Sequence, residues 1–333
     1  MTAFDRLHPP ARDDPTAAAY KDWYHLNIFD HGTGRVGLIN VSLHGAPADP
    51  RARAIATALI HDPHAGWAGN VEVAGLSEAA VGEARIALGT AAVGVEAGGE
   101  RLTATADVDA EGFAASIEAR PAAHPRRVAT EPPFGSGWIG WSVLPRLSLA
   151  GRYRLHGAQR DLAQVSGYHD HNWGRWHWGD DIGWEWGAFV SEAPGPVFVV
   201  SRTTDRAHRR VQPPQLLAVL GVLSRRFAAE SVSIAVAGSL EARLRRLPGA
   251  LAALHQDRMR PRLPARLRIE AVAGMDWLVL EFTAHAAAQL IAGDPVRPGY
   301  AFIHEIVGAF VSTGRVRGLD AAARGLGVFE YVQ

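Results

Sequence analysis

The sequence predicts an all-β protein of two domains, each a barrel or sandwich of short strands. Its 333 residues, 47% of them apolar, are enough to fill two cores of ordinary domain size. Branched and aromatic residues recur in short runs with period-two character, and glycine-bearing turns separate the runs. Short strands at regular spacing with turn signals between them are typical of all-β barrels and sandwiches.

The first predicted elements are an N-terminal arm and a β-hairpin. Residues 1–19 begin with a polar, proline-bearing stretch, which predicts a flexible arm. Trp23–Phe29 and Val36–Leu43 are runs of β-prone residues, and Asp-His-Gly-Thr-Gly at 30–34 joins them. Because that junction has the composition of a turn, the two runs are predicted to pair as a hairpin.

More strands are predicted on both sides of a tryptophan-rich region, and they define two domains at residues 20–190 and 191–333, with the site in the first. Only minor helix is expected, and its best candidates are Ser239–Arg246 and Pro248–Gln256, each opening on a residue suited to a helix start. The remaining predicted strands are Asn70–Ala74, Glu83–Leu88, Leu102–Val108, Phe113–Ala119, Val197–Arg202, Leu267–Val272, Trp277–Ala284, Phe302–Phe310 and Gly325–Tyr331.

Composition excludes several classes of function. Basic and acidic side chains number 34 each, with no long run of either sign, so neither nucleic acid nor an anionic membrane is expected as a partner. Cysteine is absent, which excludes disulfides, thiolate nucleophiles and sulfur-ligated metals. The longest apolar run is too short to span a bilayer and no signal peptide is recognised, so a cytoplasmic protein without an integral membrane segment is expected.

Two further chemistries are disfavoured. Lys21 is the one lysine of the chain and lies on a stretch that looks exposed, which argues against Schiff-base catalysis. Gly32, Gly34 and Gly37 fit the dinucleotide-binding glycine pattern, but a predicted strand follows them where a helix would have to hold the pyrophosphate. We therefore expect no cofactor.

Residues 128–186 differ from the rest of the chain. They hold seven of the ten tryptophans, interleaved with histidines and carboxylates. Polar groups at this density are costly to bury unless they are paired or used, which favours an aromatic-walled ligand cavity over an ordinary aromatic core. The ligand expected there is a hydrophobic small molecule. The residues predicted to contact it are Trp138, Trp141, Asn172, Trp173, Trp176, Trp178, Trp184, Glu185 and Trp186.

Two histidines alternate with a carboxylate in this region. If the segment is a strand, His169 and His171 project from one face, and Tyr168, Asp170 and Asn172 from the other. A His-x-His pair on a strand can begin a zinc site, yet we favour a hydrogen-bonded structural pair and expect no metal. The residues close enough in sequence to supply a third ligand are His177, Asp180, Asp181 and Glu185.

One octapeptide carries a family resemblance. Gly-Tyr-His-Asp-His-Asn-Trp-Gly at 167–174, with Trp-Ser-Val-Leu-Pro at 141–145 before it and Trp-Glu-Trp-Gly at 184–187 after it, resembles the carotenoid 1,2-hydratase (hydroxyneurosporene synthase) and AttH-type family. Asp-Trp-Tyr at 22–24 and the closing run at 325–331 support the match. Similar proteins include tocopherol-cyclase-like proteins and lipocalin-like Diels-Alderases.

The resemblance implies two lipocalin-like (calycin) β-domains and a site around the octapeptide. By position it makes Tyr168 and Asp170 the acid candidates, and His169 and His171 beside them complete the predicted catalytic set. The Asp-His-Asn-Trp-Gly form is closer to AttH-type members than to the hydratases proper, so the reaction within the family stays open.

A mechanism can also be argued from the residues. A carboxyl group walled by tryptophans has its charged form disfavoured, so it can remain a proton donor near neutrality. Aromatic faces would stabilise a carbocation, and the same cavity without proton transfer could hold two reacting ends together. We therefore predict an enzyme of secondary metabolism, a lyase or isomerase that hydrates or cyclises a hydrophobic polyene, terpenoid or polyketide. The alternative is a non-catalytic carrier of a hydrophobic ligand.

Overall fold

The chain forms two compact units of β-structure. The computed structural model describes residues 5–11, 13–96, 100–107, 112–129, 131–241, 244–247 and 262–333. The first unit comprises Met1–Asp30, Gly37–Asp180 and Gly293–Tyr300, and the second comprises His31–Val36, Asp181–Ala292 and Ala301–Gln333. The long run of the first unit ends at Asp180, ten residues before the boundary proposed from the sequence, and that unit also includes a short segment from late in the chain.

Thirteen strands of the described residues form the first sheet, in the order β4-β3-β2-β1-β13-β12-β9-β8-β7-β6-β5, with β10 and β11 beside β12. The strands are β1 Tyr20–Asp30, β2 Arg35–His44, β3 Arg53–Asp62, β4 Gly66–Gly75, β5 Ala80–Val81, β6 Arg85–Leu88, β7 Ala91–Val95, β8 Leu102–Ala106, β9 Phe113–Pro121, β10 Arg126–Ala129, β11 Pro133–Phe134, β12 Gly137–Leu155 and β13 Ala158–Arg175. Short 3-10 helices lie at Ala17–Ala19 and Leu76–Glu78.

The first sheet curls back on itself. β3 and β4 contact β9, and β3 also contacts β6 and β7, although these strands are not neighbours in the sheet. Its concave side encloses a core that includes Tyr24, Leu26 and Leu144. The longest hairpin is β12–β13, and its turn uses His156 at φ 47° and Gly157 at φ 80°, the left-handed pair that a tight two-residue hairpin requires.

Eleven strands of the described residues form the second sheet, in the order β17-β16-β15-β14-β24-β22-β21-β20-β18, with β19 beside β21 and β23 beside β22. The strands are β14 Gly183–Ser191, β15 Val197–Thr204, β16 Gln215–Leu220, β17 Leu223–Phe227, β18 Val232–Ala237, β19 Leu244–Arg246, β20 Arg266–Ala273, β21 Asp276–Gly293, β22 Tyr300–Val316, β23 Leu319–Asp320 and β24 Ala323–Val332. A 3-10 helix spans Ala229–Ser231. Phe189, Phe282 and Phe310 pack edge to face in its core.

The predicted fold class is confirmed: the protein is nearly all-β, with two curled sheets that form barrel-like, lipocalin-like domains. The predicted hairpin at 23–43 is confirmed as β1 and β2, which are neighbours in the sheet. No helix within the described residues is long and apolar enough to cross a membrane.

The helix predicted at Ser239–Arg246 is wrong where the structure describes it. Leu244–Arg246 is a strand that pairs in parallel with Ala287–Gln289 of β21. The leucine and arginine spacing resembles an amphipathic helix, but the neighbouring strand offers this short segment a backbone partner that sequence spacing does not reveal. Pro248–Gln256 lies outside the described residues.

Candidate functional site

The octapeptide lies on β13, between β1 and β12 in the first sheet. Asp170 is opposite His25 of β1 and Val143 of β12, while His171 is opposite Tyr24 and Ser142. Successive side chains of a strand point to opposite faces of the sheet, so β13 contributes to two separate groups of polar residues. We call them the Asp170 face and the His171 face.

The Asp170 face carries Tyr168, Asp170 and Asn172, as the alternation predicts. The Tyr168 hydroxyl donates to Oδ2 of Asp170 at 2.9 Å, and Nδ2 of Asn172 donates to its Oδ1 at 2.8 Å. Only 4% of Asp170 is exposed, and Tyr168 is fully buried. The carboxyl group is therefore held in one orientation by two neighbours on its own strand.

Burial raises the pKa of Asp170 to about 6. The nearby charges of His169 and His171, the Tyr168 hydrogen bond and the nearby Trp141 indole oppose this rise, but they do not cancel it. A carboxyl group with this pKa keeps its proton in about a tenth of the molecules at pH 7 and in about half at pH 6. It can therefore give a proton to a substrate and then exist as a carboxylate stabilised by two donors.

The His171 face points toward the core of the first unit, since Tyr24 and Leu144 share it. Nε2 of His171 lies 2.7 Å from Oδ1 of Asp22, and its Nδ1 lies 2.8 Å from Oδ1 of Asp5. Nε2 of His169 lies 2.7 Å from the other oxygen of Asp5. All four side chains are buried, so the group is an ionic network inside the barrel-like unit.

The network shifts the pKa values of its members in opposite directions. Burial alone lowers the pKa of His171, but the carboxylates of Asp22 and Asp5 outweigh it and raise the value to about 9. Burial alone raises the pKa of Asp5, yet the charges and hydrogen bonds of His169 and His171 leave it well below its ordinary value. His171 is thus a buried imidazolium held between two carboxylates.

A metal site could be sought beside this network. His8, Asp22 and His171 place potential ligand atoms within 4.8 Å of one another, and burial lowers the pKa of His8 to about 4, so its ring is neutral near pH 7. His171, however, has a carboxylate oxygen within 2.8 Å of each of its ring nitrogens, so both nitrogens already have a partner. A structural histidine pair without a metal therefore stays a prediction.

Two members of the network, Asp5 and Asp22, and the neighbouring His8 are not among the site residues predicted from the sequence. Asp5 and His8 fall in the stretch interpreted as an arm, and Asp22 was noted only as the acidic residue before two aromatics. In the structure the Asp5 carbonyl also accepts the Tyr24 hydroxyl at 2.6 Å, and the His8 ring stacks on Trp173 at 4.1 Å. The Asp-Trp-Tyr triplet at 22–24 was the one available signal, because Asp5 and His171 are far apart in sequence.

The tryptophans predicted to form one aromatic wall belong to different surroundings. Trp141 is on the Asp170 face, opposite Asn172, whereas Trp173 is on the His171 face, against His8. Trp138 lies 5.4 Å from the guanidinium of Arg175. Of these three tryptophans, Trp141 is therefore the one that the strand pairing places on the same face of the sheet as Asp170.

Lys21 corrects an expectation drawn from the sequence, since its side chain is fully buried. The ammonium donates to the Trp176 carbonyl at 2.6 Å and lies over the rings of Trp176 and Trp178 at 5.4 and 5.6 Å. Burial lowers its pKa to about 8, although Asp294 opposes the shift. The partners are more than 150 positions away, so the local sequence makes Lys21 look exposed.

The potential third ligands and the last predicted binding residues have partners other than His169 and His171. His177 pairs with Asp294 at 2.9 Å, and Asp180 accepts from Ser136 at 2.7 Å.

The last three predicted binding residues are on β14 of the second unit: Trp184, Glu185 and Trp186. There Trp184 donates to Glu330. Glu185 binds Arg202 at 2.7 Å and His208 at 3.0 Å. Asp181, a potential third ligand, pairs with Arg210.

Comparison with known proteins gives structural likeness without close sequence likeness. No family model matches the chain, and no curated protein sequence matches it. A protein assigned as AttH from Nitrosomonas europaea matches with TM-score 0.69 and 16% identity over 98% of both chains. Kievitone hydratase from Nectria haematococca matches with TM-score 0.64 and 12% identity, over 100% of this chain and 94% of that one. CghA matches with TM-score 0.62 and 13% identity, over 99% and 93%.

Proposed function

We propose that the protein is an enzyme that hydrates or cyclises a hydrophobic unsaturated molecule by proton transfer from Asp170. The observation that carries the proposal is the state of this carboxyl group. It is buried, its pKa is about 6, and Tyr168 and Asn172 fix its two oxygens. A structural carboxylate would gain more from a cationic partner, whereas an acid catalyst needs a carboxyl group that keeps its proton near neutrality.

The proton balance of the proposed reaction is simple. The O–H bond of Asp170 breaks, its proton forms a C–H bond with one alkene carbon, and the other carbon becomes cationic. The Tyr168 hydrogen bond stabilises the carboxylate that remains, and the face of Trp141 is suited to stabilise the cation. Water then adds to the cation and returns a proton to Asp170. In the alternative, an internal alkene adds to the cation, and the new cation loses a proton from a neighbouring carbon to the Asp170 carboxylate, which gives an isomer of the substrate.

His169 and His171 take a positioning role in this proposal. They are on the opposite face of β13, where Asp5 and Asp22 hold them. From that face their charges lower the pKa of Asp170. Without them the carboxyl group would be a weaker acid. The substrate-facing group is therefore Asp170 with Tyr168, Asn172 and Trp141.

Two lines of similarity support the reaction class. One solved protein of the same fold is by name a hydratase, and another, CghA, has been solved with the small molecule Sch210972. The octapeptide at 167–174 resembles that of the carotenoid 1,2-hydratase and AttH-type family. Both lines favour an enzyme over a carrier, and within secondary metabolism they favour a lyase or an isomerase.

We expect purified protein, incubated in ¹⁸O-labelled water with a panel of polyenes, terpenoids and unsaturated polyketides, to convert at least one compound. Mass spectrometry separates the two reactions, because hydration adds one labelled water and cyclisation leaves the mass unchanged. The control is the same incubation with heat-denatured protein. Compounds that bind tightly but are recovered unchanged would instead establish a carrier.

A further inference from the structure

Asn27 has an unusual state on the Asp170 face. It lies on β1 directly opposite Tyr168, and its side chain is completely buried. The amide is near enough to the His25 ring to favour its charged form. Nevertheless neither Nδ2 nor Oδ1 makes a hydrogen bond of acceptable geometry with any described residue.

A buried amide without hydrogen-bond partners destabilises the folded protein, so its presence at Asn27 calls for a functional explanation. A side-chain amide carries two donor hydrogens and an acceptor oxygen, and leaving such a group buried and unpaired destabilises the folded protein. Most buried polar groups in native proteins have a partner. Two nearby side-chain amides have a partner. Asn172 donates to Asp170, and Nδ2 of Asn40 lies 3.4 Å from Nδ1 of His25.

The position of Asn27 shows what could pair with it. Residues directly opposite in an antiparallel sheet have Cβ atoms about 4.5–5.5 Å apart, and diagonal neighbours on the same face are within reach of long side chains. Asn27 is opposite Tyr168, and Asp170 is the next residue along that face. A ligand group that meets the amide would therefore also be beside the Tyr168–Asp170 pair.

We propose that Asn27 binds an oxygen substituent of the substrate, a carbonyl or a hydroxyl next to the reacting alkene, so that the enzyme acts on oxygenated molecules and discriminates against pure hydrocarbons. This inference rests on the proposed function, since it places the substrate at Asp170. A carbonyl accepts from Nδ2, and a hydroxyl can also donate to Oδ1. A hydrocarbon leaves both atoms unpaired, which is the usual basis for strong rejection by a polar site.

The first arm of the test measures stability without any ligand. Leucine has nearly the shape of asparagine, so N27L removes an unpaired amide and is expected to leave the melting temperature unchanged or raise it by a few degrees. The matched control is N40L, which makes the same change on the next strand but removes an amide that has a neighbour at 3.4 Å. A fall of more than about 3 °C for N27L would mean that the amide is structural, and would overturn the proposal.

The second arm measures binding with three probes of one shape: trans-chalcone, its allylic alcohol and 1,3-diphenylpropene, which carry a carbonyl, a hydroxyl and a methylene at the same position. Wild type and N40L are expected to bind one or both oxygenated probes at least about 10-fold more tightly than the hydrocarbon. N27L is expected to lose that preference, and the weakened probe identifies carbonyl or hydroxyl as the group recognised. An unchanged preference in N27L would overturn the proposal. If none of the probes binds, the stability arm decides alone.

Failure of this inference differs from failure of the proposed function. Binding preference does not require proton transfer, so D170N is expected to keep the preference for oxygenated probes even if it is inactive. A fully active D170N combined with an N27L that loses the preference would exclude Asp170 as the acid and support Asn27 as the group that recognises the oxygen substituent. An inactive D170N combined with an unchanged preference in N27L would support Asp170 as the acid and exclude Asn27 as the group that recognises the oxygen substituent.

Discussion

D170N is expected to fold normally and to lose at least about 100-fold in turnover, the usual range for a missing general acid. Asparagine has nearly the same shape and can still accept the Tyr168 hydrogen bond, so the buried strand has little reason to rearrange. It has no proton to donate, however. Melting temperature and single-turnover rate, measured on the same preparation, separate a chemical effect from a structural one.

The matched control for that variant is D62N. Asp62 is also buried in the first unit and accepts from the backbone amides of His64 and Ala65, away from the octapeptide. It should retain full turnover per folded molecule. If D170N instead melts at a lower temperature and keeps its turnover, then Asp170 is structural, and a shape-driven cyclase or a carrier remains.

H171Q is expected to lower the free energy of unfolding by about 3–5 kcal/mol at pH 6, because it leaves the carboxylates of Asp5 and Asp22 buried without their cation. Urea denaturation monitored by tryptophan fluorescence measures the loss. The matched control is E270Q, which removes one partner of an ion pair in which both side chains are nearly half exposed. Its effect is expected to stay within about 0.5 kcal/mol.

The loss in H171Q should depend on pH in a defined direction. The pKa of His171 is raised in the folded protein to about 9 from an ordinary value of 6.5, so its contribution to stability is complete below about pH 6.5 and disappears as the pH rises through 9. The difference in stability between wild type and H171Q should shrink over that interval. A difference that stays constant from pH 6 to 10 would show that the imidazolium is not what stabilises the network.

Local sequence was sufficient for much of the fold and for one face of the candidate site. Strand alternation around His169 and His171 placed the histidines and Asp170 on opposite faces, because the period of two is a property of any extended strand. Turn composition at 30–34 likewise defined the first hairpin. These features depend on neighbours within a few positions, which is the range over which sequence patterns are informative.

The remainder depends on contacts between distant parts of the chain. Asp5 reaches His169 across 164 positions, and Lys21 reaches Trp176 across 155. No local pattern marks an arm residue as the partner of a strand residue, so the ionic network was not predicted. The separation of Trp141 from Trp173 by strand register was missed for the same reason, since register is set by the partner strand.

NMR of protein labelled at the aspartate carboxyl carbons measures the pKa of Asp170 directly, without a substrate. The Asp170 signal is the one that D170N removes. The structure predicts a titration midpoint near pH 6, well above the ordinary value of 3.8, because burial disfavours the carboxylate. A midpoint at or below 3.8 would mean that Asp170 is fully ionised at neutral pH, and would contradict its role as the proton donor.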